Sequence, residues 1–206
     1  MGCHHLGTWS SPWPLRSHPP IGTTERGQRH ERALRRAGTM TRVTEPLAPH
    51  DQLRRRIEAL PRLRQAAFAL ACAEHLVGVE ASPRQTELRA AIAQGFEQLA
   101  GEPRDLAALR EALSSREDVD QDEVAAVVFG LGAVMGLPDS AWLTAGRALD
   151  AAYERVPYPA DAMTFRPVEQ DTADPAVQQE FLWHDWAVKS LESDQDLSEI
   201  VASLRS

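Results

Sequence analysis

The residues best suited to chemistry in this chain fall in one short stretch: Glu180, Trp183, His184, Asp185 and Trp186. Glu180 and His184 stand four apart, which on a helix puts a carboxylate and an imidazole on one face, the spacing helical bundles use for metal ligands. A second pair, Glu74 and His75, lies much earlier in the chain. Adjacent residues on a helix point about 100° apart, so at most one of these two can join Glu180 and His184. A protein site for zinc, iron or manganese needs three or more converging ligands. Glu-x-x-x-His is also the ordinary pattern of a solvated polar face, here set opposite an apolar face of Phe181, Trp183 or Val188. The sequence favours that plainer reading, and no cofactor is expected.

Cys72 has His75 at i+3, the spacing of a Cys–His dyad, but its neighbours Leu70, Ala71 and Ala73 suit a small buried hydrophobe better. The chain holds no nucleophile elbow, Gly-rich phosphate loop, CxxC or HExxH. Gly130-Leu131-Gly132 lies in a helical stretch without the preceding strand a dinucleotide site requires. A non-enzyme is therefore expected, the alternative being a metal-dependent helical-bundle enzyme that uses Glu180 and His184. Acidity on the aromatic helix is the remaining feature: from Asp171 to Ser206, eight carboxylates face only Lys189 and Arg205. Glu180, Trp183, Asp185 and Trp186 thus form a candidate docking face for a basic protein, against the alternative of simple solubility.

The elements that must position these residues are all helical. Asp51 is placed to cap a first helix, Gln52–Leu60, and Pro61 restarts the chain into a second, Arg62–Val77, apolar nearly all round and therefore central. Ser82-Pro83-Arg84-Gln85 is a capping box opening a third helix that runs to about Leu99. A short fourth helix follows over Leu106–Leu113. Asp120-Gln121-Asp122-Glu123 reads as a second capping box before a fifth, almost wholly apolar helix. Gly130 and Gly132 within that fifth helix suit a close neighbour, including another copy of the chain in a homo-oligomer. Ala141–Arg155 forms the sixth helix; Asp174 caps and Pro175 begins the seventh; Asp194–Leu204 closes the chain. The loop between the sixth and seventh, with four prolines from Pro157 to Pro175, is long enough to be functional. No β-alternation is present, so the expectation is an all-α bundle of seven to eight helices.

Charge divides the chain. Residues 1–39 carry six arginines and two glutamates, +4; residues 40–206 carry 16 basic and 28 acidic side chains, −12. A domain at −12 repels phosphate backbones, which argues against nucleic acid, and no apolar run reaches the roughly 20 residues needed to span a bilayer. The first 39 residues, rich in Pro, Gly, Ser, His and Arg, lack periodicity and an apolar signal-peptide core, so a disordered tail is expected. Met40 reads as the natural start. The expected organisation is a tail and lead over 1–50 and an acidic helical domain over 51–206. A single cysteine within that domain favours a reducing, cytoplasmic setting.

The segments IEALPRLRQAAFALACAEHL (57–76) and DPAVQQEFLWHDWAVKSLE (174–192) resemble the YjaG-like family of bacterial domains of unknown function. Ile57, Glu58, Leu60, Phe68, Cys72, Ala73 and Glu74 match its early helix; Pro175, Ala176, Val177, Glu180 and Trp186 match its late one. Asp174 replaces an asparagine, the chain after the seventh helix is shorter, and His184 is particular to this sequence. The resemblance implies an all-helical domain with no assigned activity. Immunity proteins of bacterial toxin systems have a similar character, being small, acidic and cytosolic, and they cover a basic toxin domain.

Overall fold

The computed structural model describes residues 48–78, 82–157 and 171–205. The chain divides into two units, Met1–Glu45 and Pro46–Ser206. The tail expected over the first 39 residues and the proline-rich loop at 158–170 lie outside the described residues. Among those described are eight helices and no strand: α1 (Pro49–Ala59), α2 (Arg62–Val77), α3 (Pro83–Leu99), α4 (Leu106–Ser114), α5 (Asp122–Val134), α6 (Ser140–Glu154), α7 (Pro175–Glu192) and α8 (Leu197–Leu204).

The bundle is built around α2. Ala66 to Ala73 are all buried, because α2 packs on α5, α6, α3, α7 and α8 at once. Small residues along it let neighbours approach. A Cβ on Gly130 of α5 would meet the Ala69 carbonyl at 3.5 Å and the Ala73 Cβ at 3.6 Å. Gly130 thus packs on α2 inside this chain, whereas a Cβ at Gly132 would meet Ser140 Oγ at 2.9 Å and a Leu137 methyl at 3.4 Å. On α3, a Cβ at Gly95 would stand 2.7 Å from a Leu70 methyl. Glycine there lets Leu70 fill the α2–α3 seam.

The helix ends are set locally where the sequence carries a complete signal. The Ser82 box forms as expected, with Gln85 N–H donating to Ser82 Oγ (3.1 Å) and Ser82 N–H donating to Gln85 Oε1 (3.3 Å). Asp174 accepts from Ala176 N–H at 2.9 Å and Pro175 occupies the first turn of α7. Two expected caps differ. α1 starts earlier, at Pro49, and Asp51 sits in its first turn rather than capping it. The second capping box is absent: Gln121 is the N-cap of α5 and makes no side-chain cap bond. Its carboxylates are drawn outward instead, Glu123 to Arg84 and Asp122 to Arg147, each at 3.3 Å. α8 begins at Leu197, three residues later than expected, with Asp196 capping it.

Candidate functional site

α7 carries its buried residues at Val177, Glu180, His184, Ala187, Val188 and Leu191. These recur at the three- and four-residue spacing of one helical stripe. Glu180 and His184 therefore occupy core positions, with exposures of 7% and 0%. This reverses the solvated-face reading. Phe181 and Trp183, assigned to the buried side, are only partly buried, and Leu182 and Trp186 face solvent at 67% and 43%.

The inward stripe of α7 meets α2 at Cys72, which has no exposure. His184 Nε2 lies 3.2 Å from Cys72 Sγ, and Sγ also lies 3.8 Å from the Thr144 carbonyl of α6. Glu180 Oε1 is 3.5 Å from the same His184 Nε2, and its Oε2 is 3.4 Å from His75 Nε2. The four side chains make a row running from the core to the surface, where the His75 ring stacks on Trp183 (4.3 Å between centroids, 11° between planes). Phe68 closes the inner end with its ring 5.8 Å from that of His184. Phe68, Cys72 and Glu180, from α2 and α7, thus meet around the histidine.

The row lacks the wiring of a nucleophile. In a Cys–His–acid arrangement the acid holds the ring nitrogen opposite the one facing the thiol. Here thiol and carboxylate crowd one nitrogen, while His184 Nδ1 and Glu180 Oε1 have no hydrogen-bond partner. Electrostatics agrees with geometry. Burial, reinforced by the Glu180 charge, pushes the Cys72 thiol well above its ordinary range. Burial also lowers His184 to about 4, outweighing the opposing effect of Glu180. Both are neutral at pH 7, so the thiolate–imidazolium pair of an activated cysteine does not form. Cys72 is thus the small buried side chain its neighbours suit, and the histidine it touches is His184 rather than His75.

The alternative metal set fares no better. Glu74 turns away and binds Arg205 through two bonds of 2.8 and 2.9 Å, leaving His75 as the one of the pair that reaches Glu180. Among the described residues no group of three or more His, Cys, Asp or Glu side chains is arranged to hold a metal ion, and none of the helices is long and apolar enough to cross a membrane.

The four residues expected to form an acidic docking face do not form one. Glu180 is inside and Trp183 lies against His75. Asp185 is clasped by Arg56 (2.5 Å) and Lys189 (2.6 Å), and the Lys189 bond, followed by that of Arg56, holds its carboxyl below the usual range. Trp186 is open to solvent, one turn from Leu182, and the Asp185 side chain keeps 39% exposure.

Acidity concentrates elsewhere, in a cleft of about 920 Å³ between the turn before α5 and the last turns of α6. Glu117, Asp118, Asp120, Asp122 and Glu123 line one side, Asp150 and Glu154 the other, with Arg147 and Arg155 between. Asp122 is partly buried there, and its carboxyl is raised by that burial and by the charges of Glu154 and Asp150. The sequence holds this run in plain view at 116–123, but its acids resemble helix-capping residues until α6 is folded against them.

No protein family, curated protein or solved structure matches the chain.

Proposed function

We propose that the helical unit is a non-enzymatic, cytoplasmic interaction protein of the YjaG-like type whose partner is a basic protein, such as a toxin domain held by its immunity protein or antitoxin. The observation that carries this is the inversion at α7. The groups able to do chemistry, Cys72, His184 and Glu180, are closed off from substrate, while the large apolar side chains Leu182 and Trp186 are presented to solvent. Tryptophan at the centre of an exposed apolar pair is the residue type that dominates binding energy at protein interfaces. The basic character of the partner follows from the −12 charge of residues 40–206 and from the acidic cleft, both of which steer a cationic surface toward the chain.

The test is co-expression of the full chain with candidate basic toxin domains, followed by affinity capture. A Leu182→Ala, Trp186→Ala double variant with an unchanged circular dichroism spectrum is expected to lose its partner and its protective effect in cells. Capture and protection that survive the double variant, or no basic partner at all, would contradict the proposal.

A further inference from the structure

α3 and α8 both pack on α2 but share no extensive contact with each other. The gap between them is a groove of about 540 Å³. Phe96 and Leu99 of α3 form one wall, and Leu197 and Val201 of α8 form the other. Its rim carries Glu97, Glu102 and Asp196. The guanidinium groups nearby are already engaged. Arg104 binds Glu97 (2.7 Å) and Glu102 (2.9 Å), and Arg205 binds Glu74. Arg64 also acts on Asp196, and the carboxylates of Glu74, Glu97, Glu102 and Asp196 still outnumber these three cations, so an apolar floor sits within a negative rim. Arg205 also places its guanidinium carbon 4.5 Å from the centre of the Phe96 ring, so a cation seated on this aromatic wall is already part of the structure.

We propose that this groove seats an amphipathic helix of the basic partner, its apolar side chains between α3 and α8 and its lysines or arginines against the rim. The inference rests on the basic-partner reading above and adds a second place of contact and its chemistry. Three observations favour this occupant. The α8 wall is an eight-residue helix, about 12 Å long at 1.5 Å per residue, which matches two turns of a partner helix with anchors at i, i+3 or i+4, and i+7. The negative rim complements lysine and arginine. A second copy of the chain is disfavoured because two domains at −12 repel.

The experiment titrates the full chain against three fluorescein-labelled synthetic peptides and reads anisotropy. One has leucine at i, i+3, i+4 and i+7 with lysine elsewhere, one replaces each lysine by glutamate, and one replaces each leucine by lysine. The leucine–lysine peptide is expected to bind at least about tenfold more tightly than either control. Val201→Lys on the α8 wall and Ala93→Lys, at a residue of α3 that also lines the groove, are each expected to weaken it by about tenfold again, with unchanged circular dichroism. Equal affinity for the unaltered chain and both folded variants overturns the groove while leaving the partner reading intact, since Leu182 and Trp186 are untouched. Absence of binding to the unaltered chain, or equal binding of the all-lysine peptide, also overturns it; capture through Leu182 and Trp186 then stands or falls on its own test.

Discussion

The row Cys72–His184–Glu180–His75 and the acidic cleft at α5 and α6 both gather titratable side chains and behave in opposite ways. At the inner end of the row, Cys72 and His184 have no exposure, and the thiol and imidazole stay neutral because the Glu180 carboxylate does not repay the loss of hydration. The cleft is open to solvent, and Arg147 and Arg155 stand among its carboxylates. Residue type therefore says little about chemistry here until burial is known. The row contributes to the identity of the core, and the cleft contributes to the field the molecule presents.

The comparison breaks most visibly if His184 is removed. His184→Ala is expected to lower unfolding free energy by about 3 kcal/mol, through the cavity opened between Phe68 and Cys72 and the poorer packing around it; urea denaturation measures this. Acidification comes next. An unfolded histidine takes up its proton near pH 6.5, whereas His184 in the fold does so only near 4. Its contribution is therefore full above pH 6.5 and is lost as pH falls toward 4. Between pH 7 and 4.5 the expected loss is on the order of 2 to 3 kcal/mol. In His184→Phe that slope should largely vanish; a slope that persists would assign it to another group.

The thiol sharpens the same contrast. In a Cys3→Ser background, Cys72 should react with a disulfide reagent at pH 7 no faster than the fold opens, and at once in urea. Rapid reaction of the native chain would mean that the row is open. The smallest effect belongs to the cleft. Asp150→Asn and Glu154→Gln should change stability by no more than about 0.5 kcal/mol, with any gain from relieved repulsion shrinking as salt is added.

The all-helical class, the centrality of α2 and the Ser82 and Asp174 caps were legible because each depends on a signal contained in one segment. Ala66 to Ala73 have no polar side chain to direct outward, and Ser82 meets Gln85 within four residues. The Asp120–Glu123 box failed for the opposite reason: Arg84 and Arg147, distant in sequence, offer those carboxylates better partners. α7 was misread because Phe181, Leu182, Trp183, Trp186 and Val188 spread apolar side chains over more than one face. With no single apolar stripe, Glu180 and His184 look like any solvated pair. The register of Val177, Ala187 and Leu191 with them was the available clue, and only α2, bringing Cys72 and His75, decides it.

The most direct test follows the His184 ring by NMR as pH is lowered in the folded chain. The imidazole is expected to remain neutral down to about pH 5 and to titrate near 4. A midpoint near the ordinary 6.5 would show a hydrated ring and contradict the sealed row.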